Sequence, residues 1–355
     1  MTITYPIDFT QFTAYQGCPM KWYESYVHGW RKSPSDYLRD DALCMGSLYH
    51  DGQEQMLRTG KPNLTQEVID EMTPKPEALA MIKQMLLEYQ MWAGNEQWQV
   101  ITIEKPLEFT IELGDGQHVP CMAKLDASVL VTEPTTIPSG IPGQVLELLP
   151  GYYTYEHKTK AANANRASFL RRWELDAQPL FQQYGLRQYI KDHPELPQLP
   201  VNGTIINVAE KPNLYIPVRT CKGCKSKQDF SSYAIKDGTF VCPLCTFANE
   251  FAAATKPSTY DATTFYRLLL PAHNEDLKLT VDMLRSIAHA HINMQLMRTE
   301  GPQALADPYL GFTRCIHTIW GPCEFTDAHM NLTTVEQLIG IQQVDTTKYM
   351  KENKI

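Results

Sequence analysis

The stretch "YTYEHKTKAA", residues 153 to 162, sets Glu156 and Lys158 two residues apart in a segment with the character of a strand. Strand side chains alternate, so Glu156 and Lys158 share a face with Thr154 and Lys160, while Tyr153, Tyr155 and His157 take the other. A lone buried charge costs several kcal/mol, so in a central strand each would need a partner, either the other or a metal ion. A solvated pair on an edge strand is the commoner reading of such a tripeptide by itself, and the choice falls to residues elsewhere. His50, in "GSLYHDGQEQML", stands one helical turn before Glu54 on the same face, and Asp126, in "CMAKLDASVLV", is placed on a strand. A hard divalent cation such as Mg2+ or Mn2+ takes carboxylate oxygens and accepts one imidazole. Asp126 and Glu156 on adjacent strands would converge on one ion. Lys158 would then stabilise charge developing on a phosphoryl group or position the attacking water.

A second constellation is local. "CKGCKSKQDFSSYAIKDGTFVCPLC" holds Cys221, Cys224, Cys242 and Cys245, with seventeen residues between the two CxxC pairs. Each CxxC turn lets two thiolates reach one ion, and four sulfurs close a tetrahedron suited to structural Zn2+ with no open position for substrate.

The elements that must position these residues follow from periodicity. The first sixty residues read as mostly helical with interleaved aromatics, and "EALAMIKQMLLEYQMW" as an amphipathic helix. From residue 98 the period changes to strands: "WQVITIEKPLEFTIEL", a Gly-Asp-Gly turn, "VPCMAKLDASVLV", a Pro- and Gly-rich loop, then the strand of Glu156. "ASFLRRWELDAQPLFQQYGLRQYIK" reads as one helix kinked at Pro179. "VNGTIINVAE" and "FYRLLLP" are strands on either side of the cysteine-rich piece, which makes that piece an insertion, and "EDLKLTVDMLRSIAHAHINMQLM" is a long helix. The expected organisation is an α/β core over 1–210 and 261–330, an inserted zinc ribbon over 211–260 and a tail over 331–355.

With 355 residues, 43% of them hydrophobic, the chain can bury a full core. It has no apolar run long enough for a bilayer, and "MTITYPIDFT" lacks the regions of a secretory signal, so no membrane partner is expected and the protein is placed in the cytoplasm. Nine cysteines there read as metal ligands before disulfides. The net charge of -8 argues against coating nucleic acid by bulk attraction. Two acid-free stretches, 157–173 and 211–228, stand out against it; the first holds Lys160, Arg166, Arg171 and Arg172, candidates for phosphate contacts.

Taken in order, these residues resemble the PD-(D/E)XK nucleases, in particular the RecB-like branch with the CRISPR-associated exonucleases, the AddB nuclease domain and related phage nucleases. "FTAYQGCPMKWY" resembles the opening helix with its CP pair, "MGSLYHDGQE" the Gly-x3-His motif, "AKLDA" the strand of the metal-binding aspartate, "YEHKT" the ExK strand, and "WELDAQPLFQQYGL" the motif after it. The likeness runs from about residue 9 to 329, leaving out the ribbon. It implies a restriction-endonuclease-like core, a mixed central sheet flanked by helices, in a bacterial or phage-infected cell. It implies that His50, Asp126 and Glu156 bind Mg2+ or Mn2+, with the backbone carbonyl of His157 as a further ligand, that Lys158 is the catalytic lysine and that Gln178 orients it or the DNA. The family often has a tyrosine four residues after that glutamine; Gln182 stands there, and Tyr184, the nearest tyrosine, is the candidate for that catalytic place. Several members hold a [4Fe-4S] cluster between the chain ends. Cys18, Cys315 and Cys323 match three of those cysteines and His329 replaces the fourth, a set that suits either the cluster or zinc.

The implied activity is hydrolysis of DNA, at duplex ends or in single strands, with a helicase or a recombination or replication protein as an implied partner. The alternative is a non-catalytic module on the same fold that holds DNA or a partner through its basic patches and ribbon.

Overall fold

The computed structural model describes residues 6–32, 41–94, 96–114, 117–161, 165–174, 176–212, 214–215, 218–229, 234–236, 239–250, 259–260, 262–272, 293, 299–300 and 341–343. The chain opens with a short strand β1 (Ile7–Asp8) and two helices, α1 (Phe9–Gly17) and α2 (Pro19–Tyr26). Asp8 caps α1 by accepting from the Gln11 N–H at 2.7 Å, and the extended backbone of Cys18 ends α1 and starts α2, where Pro19 needs no donor. Strand β2 (Trp30–Lys32) follows, then α3 (Asp41–Thr59), α4 (Gln66–Met72) and α5 (Pro76–Ala93).

Strands β3 (Gln99–Ile103), β4 (Pro106–Gly114), β5 (Gln117–Lys124) and β6 (Ala127–Val131) form one long antiparallel hairpin that changes sheets half-way. Its base, β3 with β6, belongs to a five-stranded sheet; its tip, β4 with β5, forms a three-stranded sheet with β1. The bend falls at Glu104 and Asp126. Glu104 adopts a left-handed φ of +49°, uncommon for a residue with a Cβ, and its N–H donates to the Asp126 carbonyl at 2.9 Å. Asp126, expected within a strand, therefore occupies a break between two.

A small hairpin, β7 (Thr135–Pro138) with β8 (Val145–Leu148), leads into β9 (Gly151–Lys160), the strand of Glu156 and Lys158. Helix α6 (Arg166–Glu174) and helix α7 (Gln178–Asp192) stand where one kinked helix was expected. Pro179 does not kink α7; it occupies its first turn, where a missing N–H costs nothing.

Strand β10 (Val201–Glu210) runs parallel to β9 and antiparallel to β18 (Thr264–Pro271). Between β10 and β18 the chain makes small pairings only: β11 (Leu214–Tyr215) with β17 (Thr259–Tyr260), β12 (Val218–Thr220) with β13 (Lys227–Asp229), and β14 (Ala234–Lys236), β15 (Thr239–Val241) and β16 (Ala248–Asn249) together. A last strand, β19 (Ile341–Gln343), pairs antiparallel with β2, so part of the expected tail returns to the N-terminal region. The helix expected after β18 lies, Asn293 apart, outside the described residues.

The fold is thus α/β, with seven helices among the described residues and a five-stranded mixed sheet in the order β18-β10-β9-β6-β3. One face of the sheet is covered by α3 and α5 through Leu48, Tyr49, Leu86 and Tyr89; the other by α6 and α7 through Trp173, Leu186 and Ile190. Central strands buried on both faces explain the unbroken burial of Gly151–His157 and Gly203–Ala209. No helix among the described residues is long and apolar enough to cross a membrane.

Candidate functional site

Glu156 and Lys158 point toward α6 and α7. Glu156 is 2% exposed, and the Lys158 Nζ donates to its Oε2 at 2.7 Å while lying 5.0 Å from the centre of the Trp173 ring. Burial raises the Glu156 carboxyl, and the nearby Asp126 raises it further, against the opposing pull of Lys158. Lys158 loses by burial and gains more from Glu156 and Asp126, so its ammonium is held above the ordinary lysine value. The strand therefore holds both charges as a pair, Glu156 buried and Lys158 partly exposed.

The hairpin bend delivers Asp126 to the same place. Its Oδ2 accepts the backbone N–H of His157 at 2.7 Å and lies 3.4 Å from Nδ1 of His50, which α3 presents from the opposite side. Burial pushes the Asp126 carboxyl up, but His50 and Lys158 outweigh it and hold it well below the usual carboxylate range. Burial lowers His50 while Asp126 raises it, with a net rise. Glu104, across the bend, completes a set: ligand atoms of His50, Glu104 and Asp126 all lie within 4.8 Å of one another. Burial and Asp126 both raise Glu104, whose Oε2 also takes the Lys124 ammonium at 2.9 Å. Two carboxylates and an imidazole at that spacing are a donor set that a hard divalent cation accepts. Glu156 stands just outside it.

Several expected residues are placed otherwise. Gln178 starts α7 with its backbone N–H on Asp176 Oδ1 at 2.9 Å; it is Gln182, one turn on, whose amide reaches Glu156 Oε1 and the Lys124 carbonyl, the latter at 3.1 Å. Tyr184 packs beside Phe109, 5.5 Å between ring centres, among the aromatics of α1 and α2. His157 touches Asp126 through its N–H, and its ring lies among Tyr155, Tyr49 and Tyr89, 6.3 Å from the ring of His50. Lys160, taken for a phosphate contact, is 3% exposed and pairs with Glu210 at 2.9 Å. Arg166 stacks on Tyr266 at 4.5 Å with Glu210 at 3.6 Å, and Arg171 and Arg172 are exposed on α6.

Glu104 and Gln182 are the residues that sequence reasoning missed. The signal for Gln182 was its place four residues after Gln178, on one helix face. For Glu104 it was position: the acid before Lys105-Pro106 interrupts a strand opposite the aspartate that interrupts its partner.

In the cysteine cluster, Sγ of Cys221 and Cys245 are 3.6 Å apart and those of Cys224 and Cys242 3.8 Å, and all four sulfurs lie within 4.8 Å. A tetrahedral ion with Zn–S bonds of about 2.3 Å separates its sulfurs by about 3.8 Å, so the four are close enough to bind a metal such as zinc. The two turns are built alike: Lys225 N–H donates to the Cys221 carbonyl and Thr246 N–H to that of Cys242, each at 3.0 Å, with left-handed φ of +59° and +57°. Cys18 is buried beneath α1 and α2; Cys315, Cys323 and His329 lie outside the described residues.

Compared with known proteins, the sequence matches no family model and no curated protein.

Proposed function

We propose that the chain is a PD-(D/E)XK nuclease with a restriction-endonuclease-like core, hydrolysing DNA at ends or in single strands with Mg2+ or Mn2+, and that zinc holds the ribbon. The observation that carries this is one meeting: His50 from α3, Asp126 from the hairpin bend, and Glu156 and Lys158 from β9 come together although 108 residues separate the first from the last.

His50, Asp126 and Glu104 would hold the cation, with Glu156 beside them. When bound, the ion would supply Lewis acidity and charge neutralisation at the phosphate. Lys158 is fixed by Glu156 and Trp173 so that its ammonium faces charge developing on the phosphoryl oxygens. The His157 N–H and the Gln182 amide hold the Asp126 and Glu156 carboxylates in place before substrate arrives.

The test is degradation of a 5′-labelled single-stranded oligonucleotide with Mg2+ or Mn2+, beside Lys158→Ala. Cleavage by the parent and loss in the variant is the expected result. An inactive parent that binds the oligonucleotide tightly would replace the reading with a binding module.

A further inference from the structure

The ribbon leaves the sheet beside the candidate site. Lys158 is in register with Val208 on β10, and β10 ends at Glu210, two residues on. At about 3.3 Å per residue, the root of the insertion is only about 7 Å along the strand from the register of Lys158. The pair β11–β17 closes the base of this excursion.

The ribbon is basic on an acidic chain. Residues 211 to 245 carry six lysines and arginines against two aspartates, in a protein of net charge -8. Lys222 and Lys225 are exposed on the first cysteine turn, and Lys227 at the start of β13 just after it. Beside them the second turn exposes Phe247, 46% accessible, and Leu244, 65%. Phe247 is held in place: it lies over Gly223 so closely that a Cβ there would meet its Cβ at 2.8 Å. The cysteine cluster thus sets a half-exposed aromatic ring against a group of lysines. Phosphates with bases beside them have the charge and the flat apolar faces to match such a surface.

We propose that the ribbon is a single-stranded DNA-binding surface that holds the strand whose neighbouring phosphate lies at Lys158, with Lys222 and Lys225 on phosphates and Phe247 stacked on a base. The inference rests on the nuclease reading for what the core does to that strand, and on the ribbon's own charge and exposure for what it binds.

Fluorescence anisotropy of the full chain with a labelled 25-nucleotide oligothymidylate, without added divalent cation, tests it. Lys222→Glu with Lys225→Glu is expected to weaken binding at least tenfold and to reduce the slope of log affinity against log salt by about 1.4, the value for two single-strand phosphates. Phe247→Ala is expected to weaken binding about tenfold, and Phe247→Tyr to restore it. Each variant is compared at equal bound-metal content. Unchanged affinity and slope in the lysine variant overturn the proposal, as they would if the ribbon served an acidic protein instead. Cleavage of a trinucleotide, too short to fill both places, separates the two ideas. A parent that cleaves it while the lysine variant binds the 25-mer normally sinks the ribbon inference alone. A parent that cleaves neither substrate sinks the nuclease reading, and the anisotropy result still decides the ribbon.

Discussion

The five-stranded sheet carries charge on both faces. On one, Glu156 and Lys158 meet Asp126, His50 and Glu104, and the side chains of His50, Asp126, Glu104 and Lys158 keep between 17% and 30% exposure. On the other, Arg267 is 4% exposed; its Nε donates to Asn207 Oδ1 at 2.5 Å and its Nη2 to Tyr89 at 2.9 Å and to Glu96, beneath Trp92 at 4.6 Å. The aromatic face sets one cation against one anion and closes over the cation, with Glu96 14% exposed at its rim. The open face gathers three carboxylates around the partly exposed Lys158, one imidazole and the outlying Lys124, and leaves all of them but Glu156 within reach of solvent. The first arrangement gives one cation one anion; the second crowds three carboxylates together at a partly exposed place, where a bound cation would relieve their mutual repulsion.

The largest effect should come from breaking the sealed face. Arg267→Met unpairs the partly buried Glu96 and removes the donor to Asn207 and Tyr89, and urea denaturation is expected to show a loss of about 3 kcal/mol. Adding Glu96→Gln should return part of it, and cleavage per folded molecule should not change. On the open face Lys158→Ala is expected to lower the cleavage rate per folded molecule by about 10²–10³-fold, and to lower the melting temperature as well, because it leaves the buried Glu156 without its ammonium.

Acid should find the sealed face next. Burial pushes the His157 imidazole down to about 3, and its ring nitrogens have no hydrogen-bond partner among the described residues. Unfolded, the same ring takes a proton near 6.5. Between those values the unfolded chain holds the extra proton. Its contribution to stability is therefore complete above about pH 6.5 and is lost as pH falls, by about 1.4 kcal/mol per unit within the window. His157→Phe should flatten that part of a stability–pH curve. The smallest effect is expected from Gln182→Leu, which frees Glu156 Oε1 and should lower the cleavage rate about tenfold while Gln178→Leu leaves it unchanged.

What could be read beforehand was whatever local pattern decides. Alternation in "YTYEHKTK" put Glu156 and Lys158 on one face, and the CxxC spacing announced the sulfur cluster, because both depend on residues a few positions apart. The rest depends on long-range register. Lys160 looks like a surface cation until β10 brings Glu210 opposite it, fifty residues later. Asp126 and Glu104 face the site because a hairpin switches sheets between them, which no window along the chain reveals. Gln182 was passed over for Gln178 by one helical turn, a choice that only the height of α7 against β9 settles.

The claim beneath all of this is that the open face binds a divalent cation. Electron paramagnetic resonance of free Mn2+, titrated with the full chain and with Asp126→Asn, measures it directly. The account predicts that the parent removes Mn2+ from solution and that the variant binds it at least tenfold more weakly. Equal binding by the two proteins, or none by the parent, would contradict it.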